Sequence, residues 1–493
     1  MFSLTANATA ELTAARIASG IPETWGIRFY APVAGQAGVT FAFVDMPEPT
    51  DIVGGSAQLH TYVAAEVNER IGDATVDLRV VDGHSSMSIR PYLAGRARKC
   101  PGARLGEHAG ADAARTDDRR PSRRGRLWHL LRMDPLLTLP LRLPPNRVYR
   151  FYRGGALMDR FRGVPDPQDT VFPEDWVGST TAAINPPEHT YAGEGLSSVE
   201  VAGERILIAD LLRERPTEIA GAAVVEQDGP TTALLVKLLD AGSRLPVHVH
   251  PTRELARQIF DSQFGKAEAW AVVATRQMEG QPSPRVWLGF REDISRERLM
   301  DWIERQDTEA LRGAMNEIEV KPGDAIFVRP GLLHATGAGV FLVEAQEPTD
   351  FSIVAEYKGY PIAPDEAHMS KGWDTMIDII DRGVVDAAEL ATLVPAPQRV
   401  AGNTTEGWFE DDVWGPQSDP YFKAFRLVVD GSVAWPHAGI YSVVIVTDGS
   451  GVAETAHGRL ELSAGDTFAV LAATAPTTIS GNLQMLVTTP SFV

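Results

Sequence analysis

Gly242-Ser243-Arg244-Leu245-Pro246-Val247-His248-Val249-His250-Pro251 sets two histidines two residues apart in a β-rich setting. Side chains alternate across an extended strand, so His248 and His250 share one face and both imidazoles can reach a single metal ion. The stretch is therefore a candidate metal site, and its surroundings read as strands.

Just upstream, Ala233 to Asp240 is a nearly continuous apolar run of the kind found in a strand buried on both sides. Downstream, Ala267–Ala274, Val320–Val328 and Val340–Gln346 also read as strands. The turn Pro330-Gly331 carries His334 towards the same end of the sheet. Three imidazoles, with a carboxylate from Glu268 or Glu254, make a donor set that suits Zn, Mn, Fe or Ni; the donors alone do not choose among them. The single cysteine, Cys100, excludes a disulfide framework and a thiolate cluster within one chain.

Gly323-Asp324 and Gly465-Asp466 stand in the same place before apolar strands, a repeat that suggests two related jelly-roll barrels. Between strands of the first, Asp293–Glu317 has helical spacing, with Leu299, Trp302, Ile303, Leu311 and Met315 on one face and Asp293 or Ser295 as cap. Ile206–Leu212 and 365–392 are further helical segments, the latter with Met376, Ile377, Ile379 and Ile380 as core. From Tyr421 to Thr489 the pattern is β, with a turn expected at Asp448-Gly449-Ser450-Gly451.

The beginning differs. Residues 1–92 read as a small α+β unit, helical over Thr5–Ala18 and extended at Ile27–Tyr30, Val39–Phe43 and Ala74–Val80. It resembles, without the three cysteines, the A-type iron–sulfur carrier fold, so the likeness implies no cluster transfer here. Residues 93–132 hold eleven Arg and Lys, among them Arg96, Arg98, Lys99, Arg119, Arg120, Arg123 and Arg124, with few periodic apolar positions. Such a stretch reads as a flexible basic linker. The expected domains are thus 1–92, the linker 93–132, a metal-binding barrel with its helical insertion over 133–399, and a second barrel over 400–493.

A chain of 493 residues with a net charge of −19 has no excess of cations for broad nucleic-acid affinity. It contains no apolar run of membrane-spanning length and no signal-peptide pattern, so a cytoplasmic protein is expected, with a small-molecule partner and neither nucleic acid nor membrane.

The runs Leu245-Pro246-Val247-His248-Val249-His250-Pro251, Gly265-Lys266-Ala267-Glu268-Ala269-Trp270, Gly323-Asp324, Pro330-Gly331-Leu332-Leu333-His334 and Glu344-Ala345-Gln346 occur in order. Together, over about residues 146–490, they resemble the type I phosphomannose isomerase family of the cupin superfamily. The resemblance implies a mainly β fold of two cupin (jelly-roll) barrels with a helical insertion, one zinc ion, and interconversion of mannose 6-phosphate and fructose 6-phosphate. It places the zinc ligands on His248, His250, Glu268 and His334, preferring Glu268 to Glu254, although His-x-His-x3-Glu is the usual cupin spacing; Mn or Fe would suit the same donors. It also marks three departures. The family usually has Gln where His248 stands, its phosphate-holding Ser falls on Pro246, and its Arg after the Glu-x-Gln strand falls near Glu356-Tyr357-Lys358-Gly359-Tyr360, which has none.

Aldose–ketose conversion through an enediol needs a base near neutral pH and a group that stabilises an oxyanion. Lys266, in the Gly-Lys-x-Glu run, is the first candidate for electrostatic stabilisation or proton shuttling. Glu344 and Gln346, which share one strand face, are the others. A non-catalytic sugar-binding cupin acting as a sensor and a metal oxygenase are the competing readings, separable by turnover and by the identity of the bound metal.

Overall fold

The structure is a computed structural model in which the chain divides into two compact units, Met1–Arg119 and Arg120–Val493. It describes strands at 3–4, 26–30, 40–44, 52–56, 59–63, 74–81 and 84–91 of the first unit. In the second it describes residues 135–491 apart from 187–188, 190–192 and 202–203.

Among its described residues the first unit holds two sheets. One orders Thr40–Val44, Gly26–Tyr30, Leu59–Val63 and Ile52–Ser56; the other orders Ser3–Leu4, Ala74–Val81 and His84–Pro91. All three strands expected from alternation are present. The helix expected at Thr5–Ala18 and the linker over 93–132 lie outside the described residues, and so do residues 5–8 of the opening run that entered the likeness to iron–sulfur carriers.

The second unit is built mainly of antiparallel sheets. A six-stranded sheet runs Ala325–Val328, Glu268–Thr275, Val340–Gln346, Leu235–Ala241, Glu174–Val177 and Arg147–Val148. Its central strands Leu235–Ala241 and Val340–Gln346 are buried at every position, as their apolar runs require. A five-stranded sheet runs Met315–Glu319, Arg285–Phe290, His334–Thr336, His248–Val249 and Ile353–Val354. The third sheet is C-terminal, built on the long strands Phe422–Ala434, Thr478–Pro490 and Ser442–Thr455, and takes its edge strand Leu141–Arg142 from the start of the unit.

Alternation positions the site. Val247 and Val249 are completely buried and belong to an apolar cluster with Leu299, Trp302, Ile303, Met315, Met376, Ile377, Ile379 and Ile380. The helical insertion thus covers the outer face of the five-stranded sheet and leaves the opposite face to His248 and His250. Ser295 caps the helix Arg296–Arg305 by accepting from Arg298 N, a bond that contributes about 1 kcal/mol.

Three boundaries differ from the sequence reading. The helical segment expected over Asp293–Glu317 is two helices, Arg296–Arg305 and Thr308–Gly313, and Met315 opens a strand. The break falls at Gln306, at φ 51°, whose buried amide donates to Ile303 O and Ala355 O and accepts from Tyr357 N and Lys358 N. Met315 is core either way, so burial alone could not separate helix from strand. At Ile206–Leu212 a strand runs to Leu207 and the helix starts at Ile208. The turn expected at Asp448–Gly451 is a bulge between Val446 and Asp448 inside the single strand Ser442–Thr455. Thr447 is the extra residue, Gly449 follows at φ 75° in register with Leu483, and the chain reverses only at Thr455–Gly458.

Candidate metal centre

His248 pairs with His334 across adjacent strands, His250 follows immediately, and Glu268 opens a strand of the six-stranded sheet. The turn at Gly331, at φ 82°, is held by its N–H donating to His250 O at 2.9 Å and delivers the chain to His334. Ring nitrogens of His248, His250 and His334 all lie within 4.8 Å of one another. The Glu268 carboxylate stands 3.0 Å from His250 Nε2 and 3.5 Å from His334 Nε2. The four residues singled out in the sequence therefore meet at one place. Glu254, the alternative carboxylate, is exposed on the helix Arg253–Phe260, where it accepts from Gln258.

The surroundings orient the donors. Each Nδ1 is engaged by a backbone carbonyl: Pro246 O at 2.9 Å from His248, Phe351 O at 2.7 Å from His250 and Leu332 O at 2.8 Å from His334. That arrangement protonates Nδ1 and turns the Nε2 lone pairs towards one another, the tautomer a metal ligand needs. His250 Nε2 and His334 Nε2 are buried and make no hydrogen bond. Burial, reinforced by the neighbouring imidazoles, holds His248 well below the usual histidine range. Burial and Lys266 outweigh the pull of Glu268 and bring His250 down to about 3. For Glu268, burial pushes up, but His250 and Lys266 prevail and keep it ionised well below its ordinary value. Neutral imidazoles beside a carboxylate, with orphaned and convergent nitrogens, fit a divalent metal ion.

A cavity of about 380 Å³ opens beside this cluster, with His248, Glu268, Lys266, Glu344 and Pro246 in its wall. Lys266 Nζ stands 3.0 Å from Glu268 Oε1 and donates to Ser352 Oγ at 3.4 Å. Glu344 accepts from Trp270 Nε1 at 3.0 Å, and its other oxygen lies 2.9 Å from Lys237 Nζ. Burial and the nearby Glu268 charge raise the Glu344 carboxyl above its ordinary value. Gln346, on the same strand face, is fully buried opposite Glu268 but does not line the cavity; its amide donates to Glu347 O and Thr349 O. Lys358 is exposed and away from the cavity wall, and Glu356 forms a two-pronged ion pair with Arg244.

Sequence reasoning missed the ionic lining behind Glu344. Lys237 is buried between Glu344 and Glu174, and Glu174 also accepts from Arg150 Nε at 3.0 Å, Tyr152 OH at 2.7 Å and Trp176 Nε1 at 2.8 Å. Burial pushes Glu174 up, yet Arg150 and Lys237 bring it down to about 2. The available signal was a lysine inside the apolar run Leu234–Leu239: a charge in a fully buried strand needs a partner.

No family model matches the chain. Among individual proteins, it is 26% identical to the "Probable mannose-6-phosphate isomerase GmuF" of Bacillus subtilis, over 72% of this chain and 100% of that protein. It is 28% identical to the mannose-6-phosphate isomerase of Streptococcus mutans, over 44% of this chain and 61% of that one. These relatives, the first matched over its whole length, are mannose-6-phosphate isomerases, and they support the assignment of this chain to the type I phosphomannose isomerase family. Solved structures agree on the fold. The mannose 6-phosphate isomerase of Bacillus subtilis superposes with a TM-score of 0.55 at 20% identity, over 71% of this chain and 99% of that one. A variant of the phosphomannose isomerase of Salmonella typhimurium superposes at 0.53 and 16% identity, over 72% of this chain and all of that one. The second unit, Arg120–Val493, holds the whole imidazole cluster and cavity. No helix among the described residues is long and apolar enough to cross a membrane.

Proposed function

We propose that the chain is a metal-dependent aldose–ketose isomerase of the mannose-6-phosphate isomerase type, acting on mannose 6-phosphate or a related sugar through an enediol. The supporting observation is the meeting of His248, His250, His334 and Glu268 beside a cavity that also receives Lys266 and Glu344. In this reading those four residues hold the ion, zinc by preference, with Mn or Fe compatible with the same donors. The bound ion supplies Lewis acidity to a substrate oxygen.

The chain's own groups do the rest. Glu344, raised by its burial, takes and returns the proton that moves between adjacent carbons, and Lys237 and Trp270 fix the carboxyl in place. Lys266 Nζ offsets negative charge on the enediol oxygens, and Ser352 holds it at the cavity wall. Gln346 acts by positioning: it braces the turn after its strand.

We further read the six- and five-stranded sheets as one cupin barrel and the C-terminal sheet as a second. Residues 1–92 are taken as a separate domain, 93–132 as its linker, and the cytoplasm as the setting. The test is a coupled assay of mannose 6-phosphate against fructose 6-phosphate on chelator-stripped and metal-reloaded protein. Turnover that needs metal and is lost in His334→Ala and Glu344→Gln is expected; folded, metal-loaded protein without turnover would instead indicate a sugar-binding sensor.

A further inference from the structure

We propose that the sugar taken by this cavity is unphosphorylated, a neutral aldose and its ketose. The reaction named here rests on the isomerase reading above, whereas the substrate class rests on the cavity's own charges.

Among the described residues, five carboxyl groups line the cavity, those of Glu174, Glu268, Glu344, Asp350 and Glu366, against three cations, Arg150, Lys237 and Lys266. Each cation is already committed. Arg150 donates through Nε to Glu174, through Nη1 to Asn185 Oδ1 and Tyr149 O, and through Nη2 to both oxygens of Asp350. Lys237 lies between Glu174 and Glu344 at 3.6 and 2.9 Å. Lys266 is paired with Glu268 at 3.0 Å. Lys266 is the one cation whose partner turns away if Glu268 takes a metal ion, and it stands at the end where the reacting carbons must lie.

The far end of the sugar meets a different surface. The exposed side chains of the wall are Ile184, Pro361, Glu366 and Ser370. They are apolar, neutral or acidic. Lys358 and Lys371 are exposed but do not line the cavity, and Lys371 Nζ lies over the Phe260 ring at 5.8 Å. A phosphate monoester carries roughly two negative charges near neutral pH and is held by guanidinium, ammonium or free N–H groups. Here it would lose water beside Glu366 and Asp350 with no uncommitted cation in the wall. A neutral sugar meets no such obstacle: its hydroxyls find the carboxylates and lysines, and its C–H faces find Tyr149, Phe151 and Tyr152.

The experiment uses the full chain, metal-loaded, with D-mannose, D-fructose and their 6-phosphates as probes. The expected result is a kcat/KM for the free sugars at least about tenfold above that for the phosphates, with no inhibition by millimolar inorganic phosphate. In Glu366→Lys and Asp350→Asn, which add or release a cation at the wall, the preference should shift several-fold towards the phosphates. A kcat/KM favouring mannose 6-phosphate overturns the inference and leaves the isomerase reading standing; loss of that preference in a Lys358→Ala, Lys371→Ala double variant would identify the surface cations responsible. If neither form turns over, the isomerase reading fails and calorimetry decides the inference alone. Binding of free sugar over its phosphate supports it, and the reverse order or no binding of either overturns it.

Discussion

Lys237 and Glu344 stand opposite each other in the antiparallel pairing of Leu235–Ala241 with Val340–Gln346, with Nζ 2.9 Å from Oε1. Both are buried, so neither charge is screened by water, and the pair fixes the direction in which the raised Glu344 carboxyl faces the cavity. Glu344→Gln keeps the shape and the Trp270 contact while removing the proposed base. It should lower kcat by about 10²-fold or more with little change in KM, a split read directly from steady-state kinetics.

The centre has a direct metal readout. His334→Ala removes one of three converging imidazoles and the neighbour of Glu268 Oε2. Bound metal per chain, measured after dialysis, should fall well below one in this variant. Added zinc should raise the melting temperature of the parent protein and not that of the variant.

Glu174 governs an acid transition. With Arg150 and Lys237 bringing it down to about 2 from an unfolded value near 4.5, it stabilises the fold fully above pH 4.5, and that contribution is lost as pH falls through about 2. Its magnitude is about 3 kcal/mol. Glu174→Gln should therefore cost a few kcal/mol at pH 7, because two buried cations lose their carboxylate. It should also flatten the fall of stability between pH 4.5 and 2 in denaturant titrations; an unchanged acid limb would show that the network does not act as described.

The imidazole pair, His334 and the strands that carry them were legible because each obeys a local rule, alternation along a strand or Gly before a turn, whereas the choice of Glu268 over Glu254 came from the family resemblance. Lys237, Glu174 and Arg150 were not legible, since their meaning arises only when strands distant in sequence come into register. The same holds for helix ends. Met315 fits helical spacing and strand burial equally well, and only the turn at Gln306 and pairing with Arg285–Phe290 decide between them. Gln346 shows the converse limit: period places it correctly on the Glu344 face, yet its amide is taken up by the backbone of the following turn.

Gly331 tests how closely the turn sets the third imidazole. At φ 82° a side chain is strained, and an added Cβ would meet Ile379 O at 3.2 Å. Gly331→Ala should cost about 1–2 kcal/mol of stability and loosen metal binding through a displaced His334, which competition with a chromogenic chelator would measure.

Trp270 bears on the proposed base more selectively than any change to the base itself. Its Nε1 donates to Glu344 Oε2, and a hydrogen bond to the ionised form favours that form. Trp270→Phe removes the donor while keeping most of the buried ring. The Glu344 carboxyl, already raised by burial, should rise further, because only the Lys237 and Lys266 charges then favour the ionised state. If Glu344 moves the proton, the acidic limb of the kcat/KM profile must shift to higher pH in this variant, and activity above that limb should remain. A merely structural tryptophan would lower activity evenly at all pH values, so an unshifted limb would remove Glu344 from the role of base.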